Sequence, residues 1–203
     1  MATKYSFYDV REQLIHILNG AYPTDWEAYQ TAGVVGEDVF GLPKPHPNAV
    51  LNLFLEQNIR FAIPLASYRA ALGGLPSLLS NEPGLRLPRL ALAFTIYGID
   101  TIRSEVSQFA HSIVCNMGLK ECHEEGCVVN GGVSPPDQRL EELNQVYDDL
   151  VKKGKGDVFS FSLGDAVCVN CAVGPEQAYR FWCTCIWEGF PRIFGVGESW
   201  EAV

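Results

Sequence analysis

Apolar residues recur at intervals of three and four through segment after segment of this chain, and each run is broken off by glycine or proline. That interval is the period of a helix with one apolar face; a half-buried strand would need strict alternation. Over 7–19, Phe7, Val10, Leu14, Ile17 and Leu18 share a face, Ser6 can cap the start, and Gly20 with Tyr22-Pro23 marks the stop. A short helix over 25–30 with Asp25 as cap follows, then a Gly- and Pro-rich loop over 31–47. The spacing next predicts a helix over 47–57 that buries Val50, Leu51, Phe54 and Leu55, and another over 64–72 closed by Gly73-Gly74. An apolar helix over 88–97 is expected to break at Gly98, with Asp100 capping a further one as far as Cys115.

Beyond Cys115 the pattern loosens. Positions 116–132 show little period, and Ser134-Pro135 then opens a helix with Leu140, Leu143, Tyr147, Leu150 and Val151 as its stripe. Val158, Phe159, Phe161 and Leu163 suit a short strand or an extended arm, and Gly174-Pro175 is expected to start a last helix ending near Glu188. The fold class is therefore mainly α: a helical bundle of about seven or eight helices with irregular Cys-containing segments and little strand. A chain of 203 residues, 47% hydrophobic and 19% charged, can bury a core of its own. A single domain over 1–203 is expected, its part 116–203 not folding independently of 1–115.

Charge narrows the partners. The formal net charge is -9 and the 15 basic residues are scattered, which speaks against a phosphate-neutralising stripe or an anionic membrane surface. No apolar run approaches the length of a membrane span, and the N-terminus lacks the apolar core of a secretory signal. An intracellular protein is expected, in cytoplasm or nucleus, and its seven cysteines then read as thiols or metal ligands before disulfides.

The strongest chemical signal is Cys122-x4-Cys127 followed by Cys168-x2-Cys171. Two closely spaced pairs on irregular segments are what a structural Zn2+ site of four thiolates needs, each sulfur about 2.3 Å from the ion. His123 could replace one thiol. The plainer alternative is four buried thiols, since cysteine is among the most buried residue types. A redox reading of Cys168 and Cys171 competes; a catalytic CxxC usually opens a helix, whereas here Gly174-Pro175 is expected to delay it. Cys115, Cys183 and Cys185 are read as core packing.

No catalytic residue emerges. Phosphate-binding loops, dinucleotide fingerprints and nucleophile elbows are absent from the sequence, and His123-Glu124-Glu125 lacks the second histidine of a zinc protease. His16, His46 and His111 are dispersed, and the acidic pairs Glu141-Glu142 and Asp148-Asp149 suit a solvated helix face. The aromatic tail of Tyr179, Phe181, Trp182, Trp187, Phe190 and Phe194 reads as core in preference to a partner-binding patch.

In order, four stretches resemble the C-terminal part of fungal BTB/POZ-domain proteins. Leu14-Ile15-His16-Ile17-Leu18-Asn19-Gly20-Ala21-Tyr22-Pro23 is similar to the helix and Tyr-Pro turn late in the BTB fold. Pro47-Asn48-Ala49-Val50-Leu51-Asn52-Leu53 and Ile59-Arg60-Phe61-Ala62-Ile63-Pro64-Leu65-Ala66-Ser67-Tyr68 resemble the helix-turn-helix that follows. Trp187-Glu188-Gly189-Phe190-Pro191-Arg192-Ile193-Phe194-Gly195-Val196 resembles the family's closing Trp-x-x-Leu-Pro-x-x-Phe-Gly-Leu. The resemblance implies a protein-protein interaction module or adaptor without enzymatic activity. The strand-rich half of the BTB fold has no counterpart before Met1, so BTB-style dimerisation is not carried over. A small thiol-dependent or redox enzyme using Cys168 and Cys171 is the alternative. The partner protein's identity and the oligomeric state are not specified by the sequence.

Overall fold

The structure, a computed structural model, describes residues 2–32, 45–118, 122, 157–159 and 168–203. Seven α-helices and no strand occur among the described residues: α1 (Ala2–Ala21), α2 (Trp26–Ala32), α3 (Pro47–Glu56), α4 (Ile63–Leu72), α5 (Gly74–Leu78), α6 (Arg89–Gly118) and α7 (Val169–Ile193). Short 3₁₀ turns lie at Arg60–Ala62 and Trp200–Ala202. The mainly helical class read from the apolar period is therefore the observed one. The expected Ser134 helix, most of the loop over 31–47, Cys127 and His123 lie outside the described residues, while 157–159 form a turn.

Two compact units divide the chain. The first comprises Met1–Ile99 with Trp187–Val203, the second Asp100–Ile186. In the first, α3 matches the helix expected over 47–57, although of its expected buried set Val50 and Leu55 are only half-buried; His46 caps it through Nδ1, which accepts from the Asn48 N–H at 3.2 Å, and Pro47 takes the first helical position. Leu51 and Phe54 face the core, and Tyr22 meets Phe54 edge-on at 4.9 Å. On another face, Asn48 donates to the carbonyls of Ser77 and Leu85 at 2.8 and 3.0 Å, and Asn52 to those of Gly84 and Arg86 at 3.0 and 3.1 Å. Two asparagines four apart thus tie α3 to main-chain carbonyls of the stretch over 77–86.

Around Trp187 the first unit builds its aromatic core. Tyr29 lies 4.6 Å from it, Trp26 and Trp200 each 5.7 Å and Phe190 5.2 Å, and Phe190 continues to Tyr68 and Phe194. The Trp187 indole N–H donates to the Thr24 carbonyl at 2.8 Å, which ties the last helix to the turn after α1. Core, not a binding patch, is what Trp187, Phe190 and Phe194 supply; Phe181 is the exposed member of the aromatic tail. Gly195 stands in the left-handed region at φ 69°, and the bonds Val196 N–H to Pro191 O and Gly195 N–H to Arg192 O close α7 with a Schellman turn. Arg60 donates to the Val196 carbonyl beyond it at 2.7 Å.

In the second unit, Ile102, Val106, Ala110 and Ile113 form the buried stripe of its part of α6. Phe109 stacks near Trp182 at 5.3 Å and lies 5.8 Å from Tyr179, whose hydroxyl donates to the Val158 carbonyl.

Three sequence expectations need correction. The helix expected to break at Gly98 runs on unbroken through α6. A lone helical glycine costs only about 1 kcal/mol relative to alanine, too little to end a well-packed helix. The last helix starts before Gly174-Pro175 and runs past Glu188 to Ile193. A proline inside a helix forgoes the bond to the carbonyl four residues back and its ring crowds that carbonyl, and α7 absorbs both costs at Pro175 and Pro191 because the helix is packed along its length. Finally, Cys183 is buried as expected but Cys185 is exposed, because positions two apart on a helix point to different sides.

Candidate metal centre

The earlier start of α7 changes the setting of the C-terminal cysteine pair. Cys168 immediately precedes its first residue, and the Cys171 N–H donates to the Cys168 carbonyl at 3.0 Å. That single bond folds the intervening Val169-Asn170 into a helical turn and brings the two thiols to the same side. The expectation that Gly174-Pro175 separates this pair from its helix is therefore wrong.

Cys122, far away in sequence, meets them. The Sγ atoms of Cys122, Cys168 and Cys171 all lie within 4.8 Å of one another, and those of Cys122 and Cys168 are 3.7 Å apart. Cys122 and Cys171 are buried, at 7% and 6% exposure, while Cys168 is half-buried. None of the three is in a disulfide. The spacing has a chemical meaning: sulfurs about 2.3 Å from a common ion at tetrahedral angles are separated by about 3.8 Å. The Cys122–Cys168 pair already has that edge length. Three thiols thus lie close enough to hold one metal ion, with a soft donor set suited to zinc or another thiophilic metal. Of the four residues picked out by their spacing, Cys127 lies outside the described residues.

Cys183 does not belong to this group. Its thiol is pushed up to about 12, first by burial and further by the charge of Asp157, against a lowering by the hydrogen bond with Tyr179. It is an inert packing group. Cys185 is the exposed thiol of α7.

A second feature lies in the first unit. A groove of about 860 Å³ runs between α1 and α3, lined by Leu14, Ile17, Leu18, Leu53 and Phe61 with Arg60 at its edge. The stripe expected to be the apolar face of α1 is half-exposed here: Val10 and Leu14 are each 52% exposed, and Leu53 across the groove is 51%. The sequence carried a hint of this, since Leu51, Leu53, Phe54 and Leu55 spread apolar surface over more of α3 than one buried face uses.

Searches with protein-family models, curated proteins and solved structures find no match to this chain. Among the described residues, no helix is long and apolar enough to cross a membrane.

Proposed function

We propose that this chain is a helical protein-interaction module in which Cys122, Cys168 and Cys171, with Cys127 as fourth ligand, hold a structural zinc ion. The convergence of three thiols within 4.8 Å of one another, one pair of them at the edge length of a tetrahedral site, is the observation that carries this reading. The ion joins segments 46 residues apart where the sequence offers few apolar residues, which is the role of metal in small structural sites. An intracellular setting, in cytoplasm or nucleus, keeps such thiols reduced. The interaction role draws on the resemblance to the C-terminal helices of fungal BTB/POZ proteins and on the half-exposed aliphatic groove. Its occupant would be an amphipathic helix of a partner protein, apolar side down and an acidic residue against Arg60. Nucleic acid and membrane are not part of the proposal, and neither is catalysis.

Metal content per chain, measured by native mass spectrometry on protein purified without added metal, tests it. One zinc per chain, lost in Cys171→Ser and retained in Cys185→Ser, is the expected result. Folded protein without metal would overturn the site.

One observation favours a second reading, a thiol-dependent or redox enzyme using Cys168 and Cys171. A CxxC at the start of a helix is the setting of many reactive pairs. That reading requires the metal-free protein to reduce a protein disulfide with turnover; the zinc reading requires that it does not.

A further inference from the structure

We propose that the thiol cluster is also a redox switch, in which a peroxide joins Cys122 to Cys168 as a disulfide and expels the zinc ion. This rests on the zinc reading of the same residues. The two sulfurs stand 3.7 Å apart, and a disulfide requires about 2.05 Å, so a closure of about 1.7 Å shared between two side chains suffices. Cys168 is the more accessible of the two, half-buried where Cys122 is buried. It is therefore the sulfur that meets a small oxidant first. Peroxide is attacked by the thiolate form of a sulfur.

The chemistry balances with hydrogen peroxide as the oxidant. The Cys168 thiolate attacks one peroxide oxygen, the O–O bond breaks, and a sulfenic acid and hydroxide result. The Cys122 thiolate then attacks the sulfenic sulfur, forms the S–S bond and releases a second hydroxide. Two protons from solvent convert the hydroxides to two waters. Both electrons come from sulfur, and zinc leaves as Zn2+, its coordination cut by two ligands. The choice of pair matters. Cys168 and Cys171 belong to one helical turn, so a bond between them would tie nothing to that turn. The Cys122–Cys168 bond keeps together the segments that the ion held and so removes the metal without releasing the chain.

The test uses the zinc-loaded full chain in a Cys185→Ser background, which removes an exposed thiol that would consume oxidant. Peroxide is titrated in while a chromogenic chelator reports zinc release, and non-reduced digests are sequenced by tandem mass spectrometry. The expected result is one zinc released per disulfide, the crosslink mapping to Cys122 and Cys168, with zinc taken up again after dithiothreitol. Protein that consumes peroxide but keeps its zinc, or that links Cys168 to Cys171, overturns the switch alone. Reduced protein that holds no zinc overturns the metal reading and the release with it.

Discussion

The indole N–H of Trp200 donates to the main-chain carbonyl of Trp187 at 2.8 Å, the carbonyl whose regular helical donor would be the nitrogen of Pro191. Proline has no N–H to give, so a residue beyond the helix supplies the missing bond. Trp200→Phe removes this donor, at an expected cost of about 1–3 kcal/mol by urea denaturation. Pro191→Ala restores the helical donor. In that background Trp200→Phe should cost clearly less, and equal costs in both backgrounds would show that the indole acts only by packing.

Trp182 and Trp187, five residues apart on α7, should respond differently to the same change. The Trp187 N–H is bonded to the Thr24 carbonyl, whereas the buried Trp182 Nε1 has no hydrogen-bond partner among the described residues. Replacing Trp187 by Phe opens a gap in the aromatic core and orphans a carbonyl, for an expected loss of about 2–4 kcal/mol. Trp182→Phe removes an unsatisfied donor and keeps an aromatic ring beside Phe109, so its change should stay within about 1 kcal/mol. Denaturation midpoints of the two single variants decide this directly.

Gly98 is helical, yet alanine there should destabilise. A Cβ at this position would stand 2.4 Å from Cε1 of the Phe194 ring, which is buried and held by Phe190. The helix-propensity gain of about 1 kcal/mol is outweighed by overpacking of about 1–3 kcal/mol. Net loss of stability in Gly98→Ala, relieved in Gly98→Ala/Phe194→Leu, is the expected pattern; a stabilised single variant would refute the close approach.

These residues also show where the sequence was readable. The helices at 47–56 and 63–72 follow from apolar period and proline at the start, and the second also from glycine at its end, all local signals. Gly98, Pro175 and Pro191 misled because a breaker's local cost is visible in sequence while its compensation is not. Phe194 fills the space at Gly98, and Trp200 bonds the carbonyl that Pro191 leaves. The exposure of Val10 and Leu14 was hidden for a related reason: period identifies an apolar face but not what covers it. At the candidate centre, the short spacing of Cys168 and Cys171 was legible, as was their pairing with a distant cysteine. Their place at the first turn of α7 was not, because Gly174-Pro175 gave a false start.

Cys183 should give the protein an alkaline limit. Its thiol is raised from 9.0 to about 12 in the folded chain, chiefly by burial. Between those values the unfolded chain has lost this proton and the folded chain has kept it, so folded stability falls as pH rises through that window. Below 9 the contribution is fully present. Cys183→Ala should be less stable at neutral pH because of the cavity, yet lose stability less steeply as pH rises above about 9. Parallel slopes in the two proteins would mean that Cys183 does not control the decline. Alkylation at pH 8 should meanwhile modify Cys185 well before Cys183.

If the thiol cluster holds the proposed zinc ion, removing that ion should cost stability without touching the first unit's core. An ion bound only by the folded chain stabilises it by about 2.7 kcal/mol at a hundredfold excess over Kd. For a chain of this size that corresponds to about 5–10 °C in Tm. A strong chelator should lower Tm by this amount in the wild type and leave Cys171→Ser, already metal-free, unmoved. Cys185→Ser should behave as wild type, since that exposed thiol lies outside the cluster. Near-ultraviolet circular dichroism separates the two units' contributions. The signal of the Trp187 cluster should persist after chelation, because its partners Trp26, Tyr29, Phe190 and Trp200 all belong to the unit without the thiols. A chelator that abolished that signal would show that the ion is needed for the whole fold and not for its own segment alone.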